Sequence, residues 1–284
     1  MPFPRTTVGG VSLPRMLMGS NWILGYSHTT SSADAMIRSR HSEGRKIAEL
    51  LETYLEYGVD ALMAPISSHE TDLLMDGVRI AQERTGKRIT LIDTPILDLR
   101  DSADARRSVG ETLDKSRAMG CTFCLIHHSS VEQLVSKLHG TIERLPDYTD
   151  MIRQRGLIPG LSAHMPELVV YSDQNGYDIE TYIQIYNCMG FLMQVEVESV
   201  HKIIHNAKKP VMTIKPMAAG RCSPFVGLTF SFATIRERDM VTCGAFTPDE
   251  VREDVEIAMA AIERRPPDLE GRSSPNKTTA ITGE

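Results

Sequence analysis

Side chains that move protons or bind metals recur in this chain at the ends of short apolar runs. Asp93 closes RITLIDTP (residues 88–95), His127 and His128 close TFCLIHHSS (122–130), and His164 closes LIPGLSAH (157–164). Imidazole titrates near neutrality and serves as general acid or base. A carboxylate beside it can orient the ring or hold it as imidazolium. Two imidazoles and one carboxylate are also a divalent-metal triad. Asp93, His127 and His164 therefore carry three readings: acid–base work, metal ligation, and plain polar caps on strand ends. Side chains alternate along a strand, so only one of His127 and His128 is expected to face inward.

Lys215 follows the run VMTI and precedes Pro216. A lysine buried at such a point can form a Schiff base, anchor a phosphate or carboxylate, or reach out to solvent. His201 and His205 are four apart but lack the glutamate of a metalloprotease helix, so they belong to an ordinary helix face. His28, His41 and His139 fall in loops or polar faces and are expected to be solvated. Cys121 and Cys124 form a CxxC with no second ligand pair, and the run they enter favours a strand. They are expected to be buried structural thiols.

These residues are positioned by an alternating pattern. Short apolar runs begin near residues 15, 58, 88, 122, 157, 179, 210 and 239. Between most of them lie amphipathic stretches with apolar residues three or four apart, the last of them at 248–264. Thr247 is its expected N-cap, with Glu250 three residues on. About eight strand–helix units imply parallel strands joined by right-handed crossovers. Eight units in some 250 residues fit a closed (β/α)8 TIM barrel in one domain, 1–264. No glycine-rich phosphate loop follows the first strand, which argues against an open doubly wound sheet. Residues 265–284 are rich in Pro, Ser, Thr and Gly and are expected to form a flexible tail.

Barrel active sites lie at the C-terminal strand ends. That rule selects Asn21 and Trp22, then Ser67 to His69, Asp93 and Thr94, and His127 and His128. It continues with Ser162 and His164, Gln184, Lys215, and Gly244.

Composition narrows the classes. The 284 residues carry a net charge of −6, which argues against a nucleic-acid partner. Five cysteines, an odd count, argue against a disulfide framework. No stretch approaches the ~18 apolar residues of a membrane span. The first residues lack the apolar core of a secretory signal, so the cytoplasm is the expected location. A small-molecule partner is expected, and a homo-oligomer is left open.

In this order the chain resembles the aldo-keto reductases over residues 11–264. LPRMLMGSNWILG (13–25) resembles the family's opening strand and the stretch that approaches the nicotinamide, which places Asn21 and Trp22 there. LETYLEYGVDAL (51–62), TFCLIHHSS, GLSAH (160–164), IQIYN (183–187), IKPMAAGR (214–221) and VTCGAFTPDEVRED (241–254) are similar to later segments of that barrel. The family's proton-transfer tetrad is Asp, Tyr, Lys and His. Its histidine is matched by His127. Its Asp position holds Met63 or Ala64, its Tyr position Ser68 or His69, and its Lys position Asp93 or Thr94. The resemblance leaves His69 as a substitute acid.

On the cofactor side, Ser162 and Gln184 match the residues that bind the carboxamide, while Ala163 stands where the family has Asn. Ile214 replaces a stacking tyrosine. Lys215 and Gly244 flank the same region, and Glu253 with Asp254 resembles the adenine-contacting pair. Glu250 lies near an arginine position that serves the 2′-phosphate, which implies NAD rather than NADP. The resemblance implies an NAD-linked oxidoreductase acting on a small polar carbonyl or sugar. The alternatives are a divalent-metal isomerase, lyase or hydrolase using Asp93, His127 and His164, and a non-catalytic ligand-binding barrel.

Overall fold

The computed structural model describes residues 2–269. The chain opens with a hairpin, β1 (Arg5–Val8) and β2 (Val11–Pro14), followed by β3 (Met16–Gly19), α1 (Asn21–Leu24), α2 (Ser31–Arg40) and α3 (Gly44–Glu56). Next come β4 (Ala61–Ala64), α4 (Asp72–Thr85), β5 (Thr90–Asp93), α5 (Ala103–Ala118), β6 (Phe123–Ile126) and the short α6 (His128–Val131). A small hairpin of β7 (Val135–Ser136) and β8 (Thr141–Ile142) leads to α7 (Leu145–Gln154), β9 (Ile158–Ala163), α8 (Glu167–Asn175) and β10 (Thr181–Ile185). The chain continues with α9 (Val197–Asn206), β11 (Val211–Ile214), α10 (Pro224–Thr234), β12 (Met240–Cys243) and α11 (Pro248–Glu263).

Eight parallel strands close in the order β3, β4, β5, β6, β9, β10, β11, β12, and β12 pairs back onto β3. This is the expected TIM barrel. Its strands are buried on both faces, so they read as near-continuous apolar runs. Alternation divides them between two cores. Leu17, Met63, Ile92, Phe123, Leu125, Ile183, Met212 and Met240 fill the interior. Leu62, Leu91, Cys124, Ile126, Tyr182 and Val241 pack outward against the helices.

The β1–β2 hairpin stops the bottom of the barrel, where Val8 and Leu13 join the interior cluster. Its two-residue turn is Gly9–Gly10, both at positive φ, +53° and +82°. A turn of that hand matches the twist of the flanking strands and favours glycine at both positions.

Gly160 is the tightest point of the wall. A Cβ there would lie 2.7 Å from Leu125 Cγ and 2.8 Å from the Thr181 carbonyl oxygen. The carbonyl is backbone and yields only by moving a strand. Gly160→Ala should therefore cost about 1–3 kcal/mol as overpacking, read as a lower denaturation midpoint at unchanged m-value.

Several elements differ from their sequence expectation. Directly after β6, where strand–helix alternation calls for a helix, the chain forms only one turn, α6, then a 3-10 turn at Glu132–Leu134 and the β7–β8 hairpin. The reversal at Gly140, φ +63°, accounts for the difference. The two helices α2 and α10 carry no clear apolar period. PFVGLTFSFAT in α10 is apolar nearly all round, which hides its buried stripe of Leu228, Ser231 and Phe232. Cys121 and Cys124 are free and buried, and burial pushes the Cys121 thiol up to about 12.

The expected tail is described only to residue 269. Arg265 pairs with Glu256 and Glu263, and Leu269 packs on the core; residues 270–284 lie outside the described residues. Among the described residues no helix is long and apolar enough to cross a membrane.

Candidate active site

The C-terminal strand ends surround a cavity of about 490 Å³. Part of its wall is bare backbone. A Cβ on Gly19 would lie 3.1 Å from the Gly244 nitrogen, so the ends of β3 and β12 meet without side chains between them. Asn21 and Trp22, in the turn after β3, line one side, and the Trp22 ring meets Phe246 edge-on at 5.9 Å. Ser162 from β9 and Ile183 from β10 line an opposite wall with little charge, and Ile214 from β11 adjoins the β12 end.

The histidines converge here. His69, His127, His128 and His164 all line the cavity. The expectation that only one of His127 and His128 faces inward is corrected. The strand ends at Ile126, and His127 becomes the N-cap of α6, so strand alternation no longer applies. The His128 and His164 rings stack at 3.6 Å, and His127 lies against His128 at 4.2 Å. Glu132 fixes the second strand end by accepting from the amides of His164 and Met165, at 2.6 and 2.7 Å.

His127 is held in one tautomer. Its Nδ1 accepts from the Ser129 amide at 3.3 Å and from the Ser129 hydroxyl at 2.7 Å. In the neutral ring the proton is therefore on Nε2. Burial, reinforced by the neighbouring His128, depresses His127 to about 4. Burial and His128 likewise depress His164 to about 3. Both rings are therefore neutral at physiological pH.

Lys215 also lines the cavity, and burial lowers its ammonium to about 8. Its backbone sits at φ +60°, a region costly for any residue but glycine. His28, expected to be solvated, comes from the loop before α2 to meet it, with 2.7 Å between Lys215 Nζ and His28 Nε2. His28 is the site residue that sequence reasoning missed. Nothing in its flanking residues marks a loop that folds back over the barrel mouth.

Several selected residues lie off the cavity wall, Ser67 and Ser68 among them. Asp93 is fully buried but outside the barrel wall, on the face of Leu91 rather than Ile92. Its carboxylate accepts from the Ser67 hydroxyl at 2.5 Å and the Ser67 amide at 3.3 Å, while burial raises it above the ordinary carboxylate range. Thr94, one residue on, lines the cavity instead. Asp93 thus fixes the loop after β4, and the triad with His127 and His164 is not assembled. Among the described residues no group of three or more His, Cys, Asp or Glu could hold a metal ion.

Gln184 is corrected for the same reason. Ile183 faces the interior, so Gln184 faces the helical layer with its neighbours Tyr182 and Tyr186. Its Nε2 donates to the Ile185 carbonyl at 3.2 Å, and its buried Oε1 has no partner. Glu253 is exposed on α11, away from the cavity. Glu250 is engaged at the start of that helix, where its carboxylate accepts from the Phe246 amide at 2.6 Å.

No protein-family model matches the chain, and no curated protein matches it in sequence. Solved structures do match in fold. A thermostable aldo-keto reductase, solved with the inhibitor epalrestat, superposes with a TM-score of 0.60 at 14% identity, over 92% of this chain and 97% of that one. An aldo/keto reductase from Klebsiella pneumoniae, in complex with NADP and acetate, superposes with a TM-score of 0.55 at 13% identity, over 96% and 99%. An aldo/keto reductase from Brucella melitensis gives 0.55 at 14% identity, over 93% and 98%. At these identities the likeness is one of fold, and it extends over nearly the whole chain.

Proposed function

We propose that the protein is an oxidoreductase of the aldo-keto reductase type that reduces a small polar carbonyl with a nicotinamide dinucleotide, NAD(H) in preference to NADP(H). The observation that supports this most is the fixed His127 tautomer, whose Nε2–H is left free at the cavity. A neutral donor aimed at a carbonyl oxygen stabilises the negative charge that develops there on reduction.

The residues present suit a nicotinamide. Ser162 offers a buried hydroxyl for the carboxamide, and the bare Gly19–Gly244 backbone with Ile214 offers a flat, largely apolar seat for a ring. When bound, the dinucleotide supplies the hydride. The chain supplies the rest: His127 polarises the carbonyl, and His69, in the position left by the family's tyrosine, delivers the proton. Met63, Ile183 and Ile214 keep water from the reacting face. The preference for NAD(H) rests on α11, whose first turn carries two acids, Asp249 and Glu250. Carboxylates there repel a 2′-phosphate.

The test uses Trp22, the single tryptophan of the chain and part of the cavity wall. NADH should quench its fluorescence saturably, and NADPH should bind at least about tenfold more weakly, the effect of one unfavourable charge contact. Absence of a saturable signal with NADH up to millimolar concentration would overturn the proposal.

A further inference from the structure

Two donors in the cavity converge on one atom. Lys215 Nζ lies 2.7 Å from His28 Nε2, and Asn21 Nδ2 lies 3.0 Å from the same nitrogen. An ammonium and an amide NH2 can only donate, so Nε2 accepts from both and the His28 proton sits on Nδ1. A ring nitrogen has one lone pair, whereas a carboxylate offers two oxygens and about four acceptor sites. The nitrogen therefore marks a point that two fixed donors address and that an oxyanion would satisfy better.

The charge around this point is unbalanced. Lys215 is shifted by burial alone, with no carboxylate offsetting it. The nearby acid, Asp34, is already engaged, its Oδ1 accepting from the Ser27 amide and hydroxyl at 2.8 and 2.6 Å. The other charged group facing His28 is Arg221, which adds positive charge, while the facing His128, its pKa lowered by burial, is a neutral ring. Lys215 is held in place by a left-handed backbone at φ +60° and by a turn in which its carbonyl accepts from the Ala218 amide at 2.9 Å. Strain of this kind persists where the surroundings fix the residue, and it clusters at ligand sites. His28 itself is exposed and sits on a loop, also at positive φ, +56°.

We propose that Lys215 and Asn21 form a carboxylate seat, that the substrate is a small carbonyl compound bearing a carboxylate, and that His28 Nε2 occupies the seat until substrate displaces it. This rests on the reading that the cavity binds and reduces a carbonyl. With the carboxylate on Lys215 and Asn21, the carbonyl is left for the His127 side of the same cavity.

Oxamate and its neutral methyl ester, titrated against Trp22 fluorescence with and without NADH, test it. Oxamate should bind about ten- to a hundredfold more tightly than the ester, the usual effect of hydrogen bonds to a charged group. Lys215→Met should abolish that ratio, and Asn21→Ala should reduce it. His28→Ala should tighten oxamate several-fold by removing the internal competitor, an effect that a misfolded variant would not give. Equal binding of acid and ester by the wild type, or weaker oxamate binding by His28→Ala, would overturn the proposal. So would a Lys215→Met variant that keeps the ratio but loses NADH, because that places the lysine on the dinucleotide's pyrophosphate. Oxamate preference without NADH binding would sink the oxidoreductase reading and leave the seat standing; NADH binding without the preference would do the reverse.

Discussion

His127→Ala should lower kcat for carbonyl reduction by about 10²–10³, the loss seen when one donor to a developing oxyanion is removed. The ring is oriented by both Ser129 donors, and it is neutral because burial beside His128 holds it near 4. KM should change much less, since the contact strengthens mainly in the transition state. Its depressed pKa means that this imidazole should contribute no titration to kcat between pH 6 and 8. Single-turnover rates of NADH oxidation across that range provide the check. A variant with wild-type kcat would remove His127 from the chemistry.

Asp254→Asn should stabilise the protein at pH 8 and leave it unchanged near pH 3.5. Asp254 lies on α11, 3% exposed, and accepts from the Cys243 thiol at 3.3 Å. Burial, with Glu250 and Glu253 adding to it, raises its carboxyl to about 7. A group whose folded pKa is raised favours the folded state while protonated. Its contribution is full below the unfolded value near 4 and is lost as pH rises through about 7. A three-unit rise corresponds to about 4 kcal/mol at most, so a gain of about 2–4 kcal/mol is expected at pH 8. In a chain of this size that raises Tm by roughly 5–10 °C. His127 and His164 act in the opposite sense: depressed below 6.5, they favour the fold above that value and weaken it as pH falls toward about 4 and 3. The Asp254 effect is separable because it grows toward alkaline pH. Equal Tm for both proteins at pH 8 would contradict it.

The barrel was legible because its strands are short apolar runs at regular intervals and most of its helices have a clear apolar face. Strand ends were legible for the same reason, and they deliver Asn21, Trp22, Ser162, His164, Lys215 and Gly244 to one cavity. Inward and outward direction was not. Asp93 and Thr94 are adjacent, as are Ile183 and Gln184, and a one-residue change of phase moves a side chain to the opposite face. Phase is set by packing against neighbouring strands, which a single run does not encode. His28 was hidden for a different reason: it reaches the cavity through a loop, where no period applies.

The hairpin beneath the barrel bears on kinetics. Val8 and Leu13 stopper the lower end, and the interior above them is filled by side chains. Among the described residues, the cavity lies at the opposite rim, on the C-terminal strand ends. Two ligands sharing it must queue. On the proposed reading, a nicotinamide seated against the Gly19–Gly244 backbone would enter before the carbonyl compound and leave after it, so turnover would follow a compulsory order with release of the dinucleotide as its slow step.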